Sequence, residues 1–331
     1  VKTPVKTPVK TPVKTPVKKV VKKNQVVRKK TPVKKVVKKN QVVRKKTPVK
    51  KSIISINDYV NIDNEYNIII QHDKINNNLL HSLYLNCFFI KDITPLSGLT
   101  NLTRLELHEC EELTDITPLS GLTNLTELDL SYCKKITDIT PLSGLTNLMR
   151  LKLHECEDLT NITPLSGLTN LMRLKLDECE ELTDITPLSG LTNLIELSLT
   201  YCYVLNITPL TDLTNLTILN LSGCKKITDI TPLSGLTNLT KLDFSYCEKI
   251  TDITPLSGLT NLTDLYLSDC KKITVITPLS GLTKLTILDL KSCTKITDIT
   301  PLSGLTNLTK LYLGECDKLI DISPLSGLTK L

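Results

Sequence analysis

Cysteine is the most regularly placed reactive residue in this chain of 331 residues, which contains eleven of them. Ten of them form a column in which a cysteine recurs every 23 residues, with a single step of 22, and Cys87 stands one place off its position in the unit, because the first unit is a 22-residue form with Phe88 at the equivalent position. The members of that column are Cys110, Cys133, Cys156, Cys179, Cys202, Cys224, Cys247, Cys270, Cys293 and Cys316. A thiolate metal site needs clustered spacing of the CxxC kind, which is missing, and equivalent positions direct every thiol the same way. We therefore predict reduced, buried thiols that donate weakly to the backbone of the neighbouring unit, as expected in a reducing compartment.

No residue stands out as a candidate for catalysis. A nucleophile needs a base and an orienting group beside it, whereas the serines and threonines recur at fixed positions of a repeated unit. The sequence contains no glycine-rich phosphate loop and no metal-ligand motif. His108 and His154 lie two units apart, about 10 Å at the spacing of neighbouring strands, which is too far for one metal ion. We predict a protein that is not an enzyme, needs no metal or cofactor, and carries these histidines on its surface.

The N-terminal tail is strongly basic. Residues 1–51 hold 20 of the 41 basic residues and no acidic residue, which leaves 21 basic and 34 acidic residues, a net charge of −13, in the remainder. VKTP occurs four times and VKKVVKKNQVVRKKTP twice, and low complexity with recurrent proline predicts disorder. Cations without aromatic residues favour binding of nucleic acid or another polyanion without sequence specificity. The residues predicted to contact a polyanion are Lys18, Lys19, Lys22, Lys23, Arg28, Lys29, Lys30, Arg44, Lys45 and Lys46.

Three alternatives for the tail remain open. It is either an expanded segment without a dedicated partner, a nuclear-localisation signal of the form RKKTPVKK, or a segment attracted to an anionic membrane surface. No apolar stretch of the chain approaches the ~18–20 residues that span a bilayer. We therefore expect no integral membrane association.

A repeat of 23 residues organises the chain after the tail. The proline of ITPL or ISPL recurs eleven times from Pro95 to Pro324, and one full unit, Leu102 to Asn124, reads LTRLELHECEELTDITPLSGLTN. Leu105 and Leu107 alternate with polar residues, which predicts a short, half-buried strand. Within TPLSG, threonine can cap a helical turn, proline suits its first position, and glycine ends it.

One strand and one return turn per unit predict a solenoid, because a single coil cannot bury its own apolar side chains. We place eleven coils in residues 80–331 and expect the last of them to be truncated at the C-terminus. Residues 52–79 fall outside the period, and we interpret them as an N-terminal cap or a linker.

The LxxLxLxxC pattern over residues 80–331 resembles that of leucine-rich repeats. DITPLSGLTNL is similar to the internalin-type bacterial repeat, and the CxxITD stretch is similar to the cysteine-containing repeats of F-box proteins. The chain departs from both, since internalin-type units carry asparagine at the cysteine position and F-box-type units have a longer helical half. The resemblance implies an α/β-type solenoid, a horseshoe of short parallel strands with tight turns or 3-10 segments on its convex side. It implies a scaffold rather than an activity.

The outward strand positions vary freely while the apolar positions barely change. These positions face the concave surface, where solenoids of this kind bind ligands. The predicted partner-binding residues are Arg104, Glu106, Glu127, Asp129, Arg150, Lys152, Arg173, Lys175, Tyr246, Tyr266 and Tyr312. In the first interpretation, the cations at 150, 152, 173 and 175 recognise an acidic patch of a partner, and the tyrosines anchor it. In the alternative, two recently duplicated units merely carry solvated cations beside Glu155, Asp177 and Glu178.

The sequence thus predicts a non-enzymatic protein–protein interaction module with a polyanion-binding tail. The many thiols predicted to be reduced and the NLT and NIT sequons favour an intracellular location, cytoplasmic or nuclear. Two alternatives are a substrate-recruiting adaptor of a ubiquitin ligase, which should carry an F-box or similar domain, and an internalin-like surface adhesin, against which the aligned thiols argue.

Overall fold

The computed structural model describes residues 60–62, 68–70, 80–86 and 88–331. The chain divides into two units, Val1–Ser52 and Ile53–Leu331, and all of the described residues belong to the second. The predicted disorder of the tail, the polyanion-binding lysines and arginines, and Cys87 lie outside the described residues. Among those residues no helix combines the length and apolar character needed to cross a membrane.

Two short strands precede the repeats. β1 (Val60–Ile62) pairs antiparallel with β2 (Ile68–Ile70), with Val60 opposite Ile70 and Ile62 opposite Ile68. The side chain of Ile68 is buried in the same hydrophobic core as the first repeats. Ile68 therefore adds one apolar side chain to the core ahead of the first repeat.

One parallel sheet of eleven strands follows, in which each strand pairs with the strands of the preceding and following coils. Equivalent residues of successive coils are direct partners, as in the pairing of Arg104 with Glu127 and of Glu127 with Arg150. Residues at the same position of successive repeats therefore form a column that runs across the strands of the sheet. The strands are β3 (Ser82–Asn86), β4 (Arg104–His108), β5 (Glu127–Asp129), β6 (Arg150–Lys152), β7 (Arg173–Lys175), β8 (Glu196–Ser198), β9 (Ile218–Asn220), β10 (Lys241–Asp243), β11 (Asp264–Tyr266), β12 (Ile287–Asp289) and β13 (Lys310–Tyr312).

Each return segment is a 3-10 turn built on the TPL or SPL motif. These turns are Thr94–Gly98, Thr117–Leu119, Thr140–Leu142, Thr163–Leu165, Thr186–Leu188, Thr208–Leu210, Thr231–Leu233, Thr254–Gly258, Thr277–Leu279, Thr300–Leu302 and Ser323–Gly327. Proline is tolerated in the first turn because its missing N–H has no partner there. The prediction of short parallel strands joined by 3-10 return turns is confirmed.

Aspartate, not threonine, provides the capping acceptor at most of these turns. Thr117 is the first residue of its turn, and the cap position belongs to Ile116, whose side chain is buried. The N–H of Thr117 donates to Asp115 Oδ1 at 2.8 Å. Hydrogen bonding with Thr117, through its side chain and its backbone, lowers the pKa of the Asp115 carboxyl. The prediction that threonine caps the turn is therefore wrong, because the acceptor stands two residues earlier.

The apolar positions of the repeat form one continuous core. In a single unit these positions, all at most 1 % exposed, are Leu102, Leu105, Leu107, Leu113, Ile116, Leu119 and Leu122. Burial of each such side chain contributes about 1.5–3 kcal/mol. Cysteine and Phe244, which takes a leucine position of the strand segment, complete the same core. Because the inward side chains are buried in this core, a partner can contact only the side chains that point outward.

Candidate partner-binding face

We call the exposed side of the sheet the strand face, defined by the outward residues of β4 to β13. Two columns of polar side chains run along its first half, on either side of the buried strand leucines. The first column is Arg104, Glu127, Arg150, Arg173 and Glu196, and the second is Glu106, Asp129, Lys152, Lys175 and Ser198. The structure therefore brings eight of the eleven predicted partner-binding residues onto adjacent strands.

The two cations on β6 are paired with acidic residues of β5. Arg150 Nη1 lies 2.9 Å from Glu127 Oε1, and Lys152 Nζ lies 2.7 Å from Asp129 Oδ2. Arg104 reaches Glu127 at 3.2 Å, so that this carboxylate bridges two arginines. The cations are thus held in position by the preceding coil.

The two cations on β7 share an acidic residue of β8. Arg173 Nε and Lys175 Nζ lie 3.6 and 3.3 Å from the carboxylate of Glu196. The ion-pair partners of the four cations are therefore Glu127, Asp129 and Glu196. They are not Glu155, Asp177 and Glu178, beside which the duplication hypothesis placed the cations.

Asp129 is the most enclosed carboxylate of this face, at 8 % exposure. It accepts hydrogen bonds from the N–H and hydroxyl of Ser131, at 3.0 and 2.5 Å, and from Lys152. Burial by itself would raise the pKa of Asp129, but the hydrogen bonds from Lys152 and Ser131 outweigh burial and lower the pKa. The group stays ionised and fixes the Lys152 ammonium on the surface.

The two histidines belong to an aromatic column beside these strands. The ring of Tyr132 lies between those of His108 and His154, with edge-on contacts of 4.8 Å between ring centroids on both sides. His154 Nε2 lies 3.5 Å from Glu155 Oε1, while His154 Nδ1 is buried without a hydrogen-bond partner among the described residues. His108 and His154 are therefore separated by a ring, as their distance along the repeat predicts.

His154, Glu155 and Glu178 place potential metal-ligand atoms within 4.8 Å of one another. Lys134 Nζ lies 3.4 Å from the other oxygen of Glu155, so a cation of the chain already neutralises part of this group. Sequence reasoning missed the cluster because Glu178 comes from the next coil. The signal is a separation of 23 residues, which no local ligand motif contains.

The predicted tyrosine anchors lie on the second half of the sheet and do not form one cluster. Tyr266 and Tyr312 occupy the same column with Asp289 between them. Lys241 Nζ lies 5.4 Å from the centre of the Tyr266 ring, a cation–π contact, and burial raises the pKa of Tyr266. Tyr246, 44 % exposed, stands in the loop after β10.

Three further exposed side chains lie on the coil of Cys202, between Pro187 and Pro209, which is one residue shorter than its neighbours. Sequence reasoning did not single them out. They are Tyr201, Tyr203 and Leu205, at 43, 45 and 62 % exposure. Lys226 Nζ lies 5.8 Å from the centre of the Tyr203 ring. The available signal was the replacement, at this coil, of the charged residues that the other coils from Cys110 onward carry around the cysteine.

The cysteine column behaves as predicted. Cys133 Sγ donates to the carbonyl of Leu107 in the preceding coil at 3.2 Å, and Cys179 Sγ donates to that of Leu153 at 3.1 Å. The same bond recurs from Cys202 to Leu176 and on to Cys316 and Leu290. Burial raises the pKa of the Cys179 thiol to about 12. Such a thiol stays protonated and is a structural donor, not a nucleophile.

A groove of about 830 Å³ lies beside the strand face, where the chain enters strands β5 to β10. We call it the strand-entry groove. Its apolar floor is formed by Met149, Met172 and Ile195, and asparagines of successive coils line it. No residue of this groove was among the predicted partner-binding residues.

A family model described as leucine-rich repeats in two copies matches residues 78–121, 100–144, 192–235, 214–258, 237–281 and 260–304, together more than half of the chain. Among solved structures, an internalin (InlF) from Listeria monocytogenes is 35 % identical, with a TM-score of 0.70 over 76 % of this chain and 73 % of its own. A TDR receptor is 20 % identical, with a TM-score of 0.56 over 71 % of this chain and 43 % of its own, which indicates a similar fold alone. No curated protein matches in sequence.

Proposed function

Because this chain belongs to the leucine-rich repeat family, we propose that it is a non-enzymatic module that binds a protein partner on the strand face. One observation supports this most: outward side chains differ from coil to coil above a core that hardly changes. Packing requires no particular residue at those positions, so their identity is available for recognition. We keep the eleven predicted residues as the proposed contact set.

The ion pairs favour recognition by charge. Glu127, Asp129 and Glu196 hold the four cations in fixed positions, which reduces the side-chain entropy that binding would otherwise cost. Arginine and lysine retain unused N–H donors in such pairs. An acidic patch of a partner would accept from Arg150, Lys152, Arg173 and Lys175, and Tyr246, Tyr266 and Tyr312 would supply apolar anchors.

Affinity capture tests the proposal. The full chain and the Lys152→Glu/Lys175→Glu variant are immobilised and incubated with nuclease-treated extract of the native cells. The matched control is Lys249→Glu/Lys272→Glu, which changes charge equally at exposed positions away from the strands. We expect the partner retained by the wild type and the control to fall at least tenfold in the first variant. Equal retention by all three proteins would contradict binding on the strand face.

We further propose that the tail binds nucleic acid or another polyanion. Its support is the charge of +20 in residues 1–51. Replacement of its ten proposed contact residues by glutamine should weaken binding to a DNA duplex and flatten the dependence of log Kd on log salt concentration. An unchanged slope would place any nucleic-acid binding elsewhere.

An internalin-like surface adhesin is the second candidate, favoured by the likeness to the Listeria internalin. An intracellular location is favoured instead by the ten buried cysteines, which are present as thiols. Protease added to intact native cells separates the two, since only a surface protein would be degraded. Neither similar structure supports the ubiquitin-ligase adaptor.

A further inference from the structure

We propose that the strand-entry groove is a second docking site, which binds an extended segment of a partner protein that alternates apolar residues with lysine. The apolar side chains would lie on Met149, Met172 and Ile195, and the lysine ammonium groups on the asparagine oxygens above them. The inference shares with the proposed function only the premise that the partner is a protein. It concerns a different surface.

The floor of the groove interrupts a regular hydrogen bond. At this position most coils carry a threonine whose hydroxyl donates to the backbone of the preceding coil, as Thr126 does to Thr103 O at 3.0 Å and Thr240 to Thr217 O at 3.0 Å. Three consecutive coils carry Met149, Met172 and Ile195 instead. These side chains lose that bond without becoming fully buried: Met149 is 43 % exposed, and Met172 and Ile195 are half-buried. Packing in the coil uses only part of this apolar surface, and an apolar ligand would cover the rest.

The rim of the groove offers a row of acceptors. The side-chain amides of Asn147, Asn170 and Asn193 donate through Nδ2 to backbone carbonyls of the preceding coils at 2.9 Å. Their Oδ1 atoms accept no hydrogen bond from any residue that the structure describes. These oxygens lie in one column and are available to a donor.

The chain itself shows which donor this column accepts. Further along it, Lys284 Nζ donates to Asn261 Oδ1 at 2.7 Å, and Lys330 Nζ donates to Asn307 Oδ1 at 2.7 Å. Both lysines stand where the repeat otherwise has asparagine. An ammonium group is thus a ligand that this oxygen already accepts within the chain.

The dimensions and charge fit an extended segment. The groove runs from Asn124 to Asn238, about 24 Å at the spacing of neighbouring strands, which an extended segment of about seven residues spans. Residues 52–331, without the basic tail, carry a net charge of −13, which favours a basic segment over an acidic one at this part of the chain. The short-range acceptors and the apolar floor then select lysine and apolar side chains together.

Peptide binding to the full chain tests the proposal by fluorescence anisotropy at physiological salt. The probes are fluorescein-labelled (Val-Lys)4, (Ser-Lys)4 and (Val-Glu)4. We expect (Val-Lys)4 to bind at least tenfold more tightly than either of the others. Equal binding of (Ser-Lys)4 would mean that affinity depends on net charge alone and not on the apolar side chains. Tighter binding of (Val-Glu)4 would mean that the groove prefers an acidic segment. Either result overturns the proposal, as does the absence of measurable binding of all three.

Two variants locate the site. Met149→Thr/Met172→Thr/Ile195→Thr restores the residue that the repeat uses elsewhere, so that folding should be preserved. Asn170→Lys imitates Lys284 and should place an ammonium on Asn147 Oδ1. We expect the triple variant to lose at least tenfold in affinity for (Val-Lys)4 and Asn170→Lys to lose severalfold. Unchanged affinity in both would overturn the site. Capture that depends on Lys152 and Lys175 but not on the groove would leave the proposed function standing without this inference.

Discussion

Val275 is an exception in the column of side chains that cap the 3-10 turns. In neighbouring coils Asp252 and Asp298 accept the N–H of the first residue of the turn, at 2.8 Å in both cases. Val275 has no acceptor to offer Thr277 and is 59 % exposed. Its replacement would therefore disturb no packing.

Val275→Asp should stabilise the fold by about 1 kcal/mol, the usual contribution of a capping side chain. The measurement is the midpoint of urea unfolding, which should rise. Val275→Ser, which offers a weaker acceptor, is the graded control, and its unfolding midpoint should rise less. A midpoint that is unchanged or lowered would show that the aspartates of this column contribute nothing as caps.

Gly223 is, among the residues that the structure describes, the one glycine in a column of left-handed residues. Every coil from that of Glu109 to that of Glu315 turns out of its strand through such a residue, for example Glu109 at φ 58° and Tyr246 at φ 61°, and Gly223 has φ 72°. A Cβ at Gly223 would lie 2.3 Å from Tyr201 Cδ1. The glycine therefore makes room for the Tyr201 ring.

Gly223→Ala should destabilise the protein by about 1–3 kcal/mol, because it combines left-handed backbone strain with this clash. The double variant Tyr201→Ala/Gly223→Ala should be less destabilised than the sum of the two single variants, since the clash is then absent. Strict additivity in urea unfolding would mean that the ring and the glycine are not coupled.

At the scale of the elements, the aspartate column makes the fold sensitive to acid. Hydrogen bonding with the threonine two residues later lowers the pKa of Asp115, Asp138, Asp184 and Asp229. A folded pKa below the unfolded one stabilises the fold above the unfolded value, and this stabilisation disappears as pH falls through the folded pKa. Stability should therefore fall as pH decreases below about the ordinary value of 3.8.

Two asparagines in the same column provide a control for this prediction. Asn161 and Asn206 make the same bond to Thr163 and Thr208 without a titratable group. The fourfold variant Asp115→Asn/Asp138→Asn/Asp184→Asn/Asp229→Asn should keep its turns and lose less stability between pH 5 and pH 2.5. Identical pH dependence of the two urea midpoints would assign the acid sensitivity to other carboxylates.

The sequence predicts the elements well because one period dictates them. The spacing of Leu105, Leu107 and Cys110 places a strand and an inward thiol in each unit, and the parallel sheet and the thiol bonds follow. Columns of like residues also follow from the period. The ion-pair partner of an outward cation is less apparent, because Glu155 is only five residues from Arg150 in sequence, whereas the strand register places Glu127 of the preceding coil beside it.

The missed features have a common cause. Met149 and Met172 lie beside the sheet and line the groove, which their positions in the sequence alone do not show. The acceptors of the groove arise because Asn147 donates backwards to Thr123 O, which a sequence does not display. Departures from the repeat, more than the repeat itself, mark the surfaces available for function.

At the scale of the whole molecule, the proposed function requires that one part of each coil maintains the fold while another part contacts the partner. Inward side chains and 3-10 turns build a stack whose coils support one another, and one face of the sheet carries the variable residues. Lys152 and Ser166 lie in the same coil, the first on the strand face and the second after the 3-10 turn, and both are exposed. A probe at each position therefore reports on a different side of the same coil.

Site-specific photo-crosslinking from these two positions in native cells would show directly whether the strand face is the binding surface. A photoreactive amino acid replaces either Lys152 or Ser166 in the full chain, and the cross-linked proteins are identified by mass spectrometry. We predict one dominant protein adduct from position 152 that is absent or at least tenfold weaker from position 166. An adduct that forms equally at both positions, or only at position 166, would contradict binding on the strand face.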